Sequence, residues 1–279
     1  MSSEAVYISS RQNPYVMRIA SLSDNKGRAR EGLFKFSGFK LFSEAVACGL
    51  VIERVILRED VEEKLGGEVR RIMPNADICV FSESAFDKVS DEKSPEGIIT
   101  VAKHIDKIAK IATINNIANL LPSETTVIAL ESLRDPGNLG TIIRSAAAFG
   151  VDTLVLSSDC ADVYNPRTIR GAMGALFSRR ILITDDLPAF IEKLSNSGRR
   201  TIAATLSPDA VLLGDVGLSR SDCIVIGNEG HGLSDQTVKA CTNAVIIPMR
   251  SGVGVESLNA ATAASIFMWE LTKNEGRSV

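Results

Sequence analysis

Six consecutive residues near the carboxyl end, Gly227, Asn228, Glu229, Gly230, His231 and Gly232, set a carboxylate, an amide and an imidazole among three glycines. A β-branched run over residues 223–227 leads into them. A second such run, residues 244–249, leads into another glycine-rich loop from Arg250 to Ser257, which opens onto Leu258 and Asn259. Apolar strands that stop at glycines leave backbone N–H and C=O groups at the carboxyl edge of a sheet, where open α/β sheets bind their ligands. The two loops are therefore read as holding a small cofactor. The glycine spacing is neither the dinucleotide fingerprint G-x-G-x-x-G nor a phosphate loop ending in G-K-[ST], and it falls too late for a first βα turn. A tight turn is the competing reading, but a carboxylate such as Glu229 adds nothing to a turn.

Two further stretches carry residues suited to chemistry. In residues 131–150, ESLRDPGNLGTIIRSAAAFG, the side chains of Leu139, Ile142, Ile143, Ala146 and Ala147 form one apolar helical stripe. Asn138 is the expected N-cap and Gly150 the stop. Arg144 falls off the stripe and is free to project into a site. Gly140 costs helix stability unless a backbone or ligand must come close. In residues 247–270, IPMRSGVGVESLNAATAASIFMWE, an alanine-rich helix is expected, capped by Ser257 and anchored in the core by Phe267 and Trp269.

The elements that must position these residues follow from periodicity. Strands are expected at residues 126–130, 152–156, 181–184, 201–205, 223–227 and 244–249, with helices at 139–149 and 257–273 among them. Such alternation predicts a mostly parallel sheet with helices on both faces. The first hundred residues read as a smaller α/β unit. An amphipathic segment at 14–22 precedes the basic stretch Lys26, Arg28, Arg30. Phe34 and Phe36 alternate as in a strand, and Leu41, Ala45 and Val46 recur as in a helix that Gly49 stops. A strand at 52–57, a helix at 62–73, a strand at 77–81 and a strand after the turn in SPEGIITVAKH complete it. Residues 104–124 lose the pattern and read as a connector, which gives units at 1–103 and 125–279.

Composition bounds the rest. The 279 residues are 45% hydrophobic, enough for a full core. The net charge of −3 does not suggest a nucleic-acid binder. Its distribution is uneven: among residues 1–58 nine Lys or Arg face five Asp or Glu, a net of +4, and the other 22 against 29 give −7. A basic amino-terminal segment fits an electrostatic footprint for phosphate, and a solvated surface is the alternative. Cys48, Cys79, Cys160, Cys223 and Cys241 form no C-x-x-C, and only His104 and His231 offer imidazoles, so reduced thiols and no metal site are expected. Neither a signal-like run nor about 18 consecutive apolar residues occurs, so a cytoplasmic protein without a membrane partner is expected.

In this order and spacing, the three stretches resemble the SpoU/TrmH class of SPOUT methyltransferases. That family's first motif, N-x-G-x-x-x-R, matches Asn138, Gly140 and Arg144. Its second, G-N-E-G-x-G-L, matches Gly227 to Leu233, and its third, I-P-M…S-L-N, matches Ile247 to Met249 and Ser257 to Asn259. The resemblance covers roughly residues 124–274, and the amino-terminal unit is similar by pattern to the family's RNA-binding extension. It implies a small α/β RNA-binding domain plus a mostly parallel-sheet α/β catalytic domain whose carboxyl-terminal segment is threaded as a trefoil knot. It implies S-adenosylmethionine held by Gly227, Asn228, Gly230, Ile247, Met249, Leu258 and Asn259, the adenine largely on backbone. It implies methyl transfer to a ribose 2′-hydroxyl of ribosomal or transfer RNA by a homodimer whose active site is completed across the interface. Arg144, Asn138, Glu229, Ser257 and Asn259 are then the catalytic set, and Lys26, Arg28, Arg30 and Lys40 the RNA contacts. A guanidinium is a reluctant base, so Arg144 is read as holding phosphate and stabilising developing alkoxide charge, oriented by Asn138 and Glu229.

Departures from the pattern are Ser37 in place of glutamate, Glu96 in place of glutamine, Ala260 in place of valine, and two extra residues between Met249 and Ser257. Two other readings are a catalytically weak, ribosome-associated RNA-binding factor and a nucleotide-dependent oxidoreductase with an atypical loop, the latter opposed by the missing fingerprint.

Overall fold

The computed structural model describes residues 5–111, 120–207, 209–250 and 257–273. The chain divides into two compact units, Met1–Asp106 with Asp162–Ser178, and Lys107–Ala161 with Arg179–Val279.

The first unit is built on a mixed sheet of β1 (Val6–Ile8), β2 (Leu33–Ser37), β3 (Ile52–Arg58), β4 (Ile78–Phe81) and β5 (Ile98–Lys103), in the order β1-β4-β3-β5-β2. β1 and β3 run parallel to β4, and β5 runs antiparallel to β2 and β3. The alternation at Phe34 and Phe36 predicts a strand, and β2 is one. Yet Leu33 and Lys35, on its other face, are buried as well. A strand buried on both faces needs cover on both, and residues of Asp162–Ser178 supply part of it. The Tyr164 ring lies 4.7 Å from Phe34 and the Phe177 ring 5.1 Å from Phe36. The Tyr164 hydroxyl accepts from the Ile105 N–H at 2.7 Å. The buried Lys35 ammonium donates to Asp91 at 2.7 Å and to the Val89 carbonyl. Residues 162–178 thus pack with the amino-terminal unit, although they fall within the sequence span 125–279.

The basic stretch, left without secondary structure by periodicity, is the helix Asn25–Glu31, capped by Asp24 and closed by Gly32 at φ +65°. It packs tightly on the preceding helix Pro14–Ser21: a Cβ on Gly27 would lie 1.9 Å from the Ser21 carbonyl oxygen.

The second unit is an eight-stranded sheet in which every paired strand is parallel. Its strands are β6 (Ile108–Ile111), β7 (Val127–Leu130), β8 (Thr153–Ser157), β9 (Arg180–Thr184), β10 (Thr201–Ala204), β11 (Val211–Leu212), β12 (Cys223–Ile226) and β13 (Asn243–Ile246), in the order β11-β13-β10-β12-β7-β8-β9-β6. All four residues of β7 and of β12 are buried, the pattern of strands covered on both faces. β6 lies inside the stretch read as connector and pairs with β9. The rest of that stretch, residues 112–119, lies outside the described residues.

Helix starts depart from expectation in two places that matter for the site. The helix Pro136–Ala148 is capped by Asp135, whose side chain accepts from the Asn138 N–H at 2.8 Å, rather than by Asn138. Pro136 has no N–H to satisfy at the first helical position, so the helix begins earlier than the apolar stripe does. Leu139, Gly140, Ile142, Ile143 and Ala146 face the core. The closing helix Ala260–Thr272 is capped by Asn259 rather than Ser257, because the Asn259 side chain accepts from both Ala261 and Thr262. Phe267 is buried as expected, but Trp269 is 43% exposed and meets Phe149 edge-on at 6.3 Å. Most of the loop between Met249 and Ser257, where the two extra residues are expected, is residues 251–256, outside the described residues.

The cysteines are all free thiols, with Cys79 and Cys223 buried, Cys160 and Cys241 half-buried and Cys48 exposed. No helix among the described residues is long and apolar enough to cross a membrane.

Candidate active site

β13, β10 and β12 are neighbours in the sheet, and chain leaving their carboxyl ends lines a cavity of about 380 Å³. Its apolar wall comes from Leu206, Ile247, Met249, Leu258 and Phe267, and its polar side from the 227–232 loop and Ser257. Small-ligand sites are typically cavities of this size, largely apolar with a few convergent polar groups. An apolar wall beside a peptide-rich edge, in a cavity of this volume, suits a ligand of nucleoside size. Gly227, Asn228, Gly230, Ile247, Met249 and Leu258 of the expected cofactor set line the cavity, while Asn259 does not. Thr205, Leu206 and Phe267 line it too, although nothing in their local sequence pattern distinguishes them from core. Among the described residues no group of three or more His, Cys, Asp or Glu could hold a metal ion.

The 227–232 loop folds back on itself. Asn228 and Gly232 exchange both backbone hydrogen bonds, at 3.0 and 2.9 Å. The Asn228 Oδ1 accepts from the Gly230 N–H at 2.8 Å and the His231 N–H at 3.3 Å, and its Nδ2 donates to the Ser132 carbonyl at 2.8 Å. Gly232 sits at φ +70°, in the left-handed region that glycine enters without penalty. Gly227 is required for a different reason: a Cβ there would lie 2.2 Å from the Gly232 carbonyl carbon.

Glu229 leaves this loop for a partner far along the chain. Its Oε1 accepts from the Asn138 Nδ2 at 2.5 Å, and the Asn138 Oδ1 accepts from the Asn259 Nδ2 at 3.0 Å. One residue from each expected motif is therefore joined in a single hydrogen-bonded chain. The polarity of that chain is determined at one end. The Asn259 Oδ1 must accept, because two helix N–H groups point at it, so its amide nitrogen must face Asn138. Asn138 then turns its own nitrogen to Glu229, which accepts as a carboxylate. Ser257 lines the cavity. Arg144 is exposed on the helix that carries Asn138, and among the described residues no hydrogen bond or ion pair engages it, so it is not oriented by Asn138 and Glu229 as expected: those two side chains are taken up by each other and by Asn259.

A carboxylate that no local sequence pattern marks, Glu131, anchors the next turn. Glu131, 9% exposed, follows β7 and accepts from Ser234 N–H at 2.8 Å, Ser234 Oγ at 2.8 Å and Thr237 Oγ1 at 2.6 Å. It thereby fixes the start of the helix Asp235–Ala240 immediately after the loop. No local signal marks it, because its partners lie about a hundred residues away.

In the first unit, Lys26 and Arg30 are exposed, with Arg30 donating to Glu31 at 2.8 Å and Ser21 at 3.1 Å. The Lys40 side chain is 72% exposed, 4.0 Å from Glu44. Arg28 is a correction. It is 3% exposed and committed to Asp162 at 2.5 Å and the Leu22 carbonyl at 2.8 Å. Its guanidinium welds the helix to residues 162–178 and is withheld from any phosphate. Glu96 likewise has a structural role, accepting from the Phe39 N–H at 3.1 Å and so capping the helix Phe39–Ala47, whose N-cap Gly38 has no side chain to do so.

Comparison with known proteins places both units in one family of RNA-modifying enzymes. Residues 13–100 match the MRM3-like substrate binding domain. The chain is 28% identical to an uncharacterized tRNA/rRNA methyltransferase of Synechocystis sp. over 99% of this chain and 96% of that one. It is 27% identical to the 23S rRNA (guanosine(2553)-2′-O)-methyltransferase RlmP of Bacillus subtilis, over 95% and 98%. The fold is that of the AdoMet-bound rRNA methyltransferase of Sinorhizobium meliloti, at TM-score 0.81 and 24% identity over 98% and 99%. Residues 125–269, which hold the cavity and the Glu229–Asn138–Asn259 chain, match the SpoU rRNA methylase family, and to that family this protein belongs.

Proposed function

We propose that the protein is an S-adenosylmethionine-dependent RNA methyltransferase that methylates a ribose 2′-hydroxyl of ribosomal or transfer RNA. The observation that carries this reading is the hydrogen-bonded chain Glu229–Asn138–Asn259, which ties three distant motifs together at the carboxyl edge of a parallel sheet beside a nucleoside-sized cavity. S-adenosylmethionine, when bound, supplies a methyl group already activated by the sulfonium charge. What remains for the protein is positioning of the acceptor oxygen and stabilisation of the charge it develops.

Each residue has a part in that task. Gly227, Asn228, Gly230, Ile247, Met249 and Leu258 hold the cofactor. Asn138 and Asn259 keep Glu229 an acceptor aimed at the ribose. Arg144, with its guanidinium unpaired among the described residues, binds the adjacent phosphate and the developing alkoxide. Ser257 closes the edge of the pocket. The amino-terminal unit binds RNA through Lys26, Arg30 and Lys40. The enzyme works in the cytoplasm as a homodimer, with its last segment threaded as a knot. With a residue of every motif in place, nothing favours a catalytically weak RNA-binding factor.

The test is incubation of the purified protein with RNA and methyl-labelled S-adenosylmethionine, followed by nucleoside mass spectrometry. A labelled 2′-O-methylnucleoside is expected. Label on a base, or none on RNA from a strain lacking the gene, defeats the proposal.

A further inference from the structure

Ser132 is one of two described non-glycine residues with positive φ, at +52°. That conformation is disfavoured for an ordinary L residue and persists only where the surroundings enforce it. It sits two residues past the end of β7, and its carbonyl is the acceptor for the Asn228 side chain. Asn228 in turn holds the Gly230 and His231 N–H groups, so the shape of the cofactor loop depends on where the Ser132 carbonyl points. The enforcing group is Asp159. Its Oδ2 accepts from the Ser132 Oγ at 2.6 Å. Its Oδ1 accepts at 2.6 Å from the Ser157 Oγ, which itself accepts the Ser132 N–H at 2.8 Å. One carboxylate thus grips Ser132 from both its side chain and its backbone.

The geometry points to Asp159 as a positioning residue for the cofactor: by pinning Ser132 in the left-handed region it aims the carbonyl that sets the 227–232 loop. The protonation behaviour agrees. Burial would raise the Asp159 carboxyl, but hydrogen bonds from Ser132, Ser157, its own backbone N–H and Arg134 together outweigh it and hold the group below its ordinary 3.8. Asp159 lines neither the cavity of about 380 Å³ described above nor a second one, of about 540 Å³, that Glu131, Ser132 and Asn228 line, so its influence runs through Ser132.

This inference rests on the cofactor reading above, and its test separates the two. In Asp159→Asn, amide hydrogen exchange at Gly230 and His231 should quicken while exchange in β12 stays as in the wild type. A general loss of structure would quicken both. S-adenosylhomocysteine affinity by calorimetry should fall about tenfold, with RNA affinity unchanged. Adding Ser132→Gly should restore slow loop exchange and affinity, because glycine takes this φ without help. Unchanged loop exchange in Asp159→Asn, or a double variant no better than the single one, overturns the role of Asp159. A wild-type protein that does not bind S-adenosylhomocysteine overturns the cofactor reading, and the loop-exchange comparison still decides the role of Asp159.

Discussion

The amide of Asn259 does two jobs whose demands differ, and substitutions can separate them. As a cap it needs only an acceptor, which aspartate also provides, with a charge that suits a helix N-terminus. As the end of the Glu229–Asn138 chain it needs a donor, which aspartate lacks. Asn259→Asp should therefore melt within about 2 °C of the wild type, whereas Asn259→Ala, losing about 1 kcal/mol of cap, should melt about 2–4 °C lower. Both should lose at least about tenfold in turnover, since Asn138 is left free to present its oxygen to Glu229. An active Asn259→Asp enzyme would show that the polarity of the chain is irrelevant. Arg144→Lys probes a different property. Lysine keeps the charge but loses the planar fork that grips two oxygens at once. If Arg144 holds phosphate and alkoxide together, turnover should fall about ten- to a hundredfold at unchanged S-adenosylhomocysteine affinity. Near-normal turnover would leave the fork unnecessary.

At the scale of elements, the 227–232 loop was legible in outline but not in mechanism. Its glycines mark a turn, yet the pattern does not say which of them the fold requires. Gly232 is required by its backbone angle and Gly227 by the closeness of Gly232. Gly227→Ala should open the loop, at a cost of about 1–3 kcal/mol for overpacking. S-adenosylhomocysteine affinity should drop more than about tenfold, and calorimetry giving wild-type affinity would refute the argument. The two helix starts teach the same lesson. Asn138 and Ser257 each suit a cap, but Asp135 and Asn259 take the positions, and Asn138 is thereby free to serve the site.

For the molecule as a whole, the amino-terminal unit is not a continuous piece of chain. β2 is buried on both faces, and the rings of Tyr164 and Phe177 cover Phe34 and Phe36. Arg28, inside the same unit, meets its carboxylate only at Asp162. A fragment ending at Asp106 should therefore expose the apolar surface of β2 and leave Arg28 without its carboxylate. Such a fragment should bind a hydrophobic dye and melt without a cooperative transition. The same fragment joined by a flexible linker to residues 162–178 should regain one. Cooperative unfolding of the shorter fragment would remove 162–178 from the core of that unit.

What the sequence determined by itself was whatever repeats within a few residues: the apolar runs of the parallel strands, the stripe of Leu139, Ile142, Ile143 and Ala146, the glycines that end strands, and the three motifs in order. What only the tertiary structure decided was pairing at a distance. Asn138 and Glu229 are 91 positions apart, Asn138 and Asn259 are 121, and Arg28 and Asp162 are 134. Periodicity and capping act over one helical turn or one strand, so they leave their marks in local sequence. A side chain's partner is chosen by the order in which strands enter the sheet, and so Arg28, basic like its neighbours in the chain, is structural while Lys26 and Arg30 remain exposed.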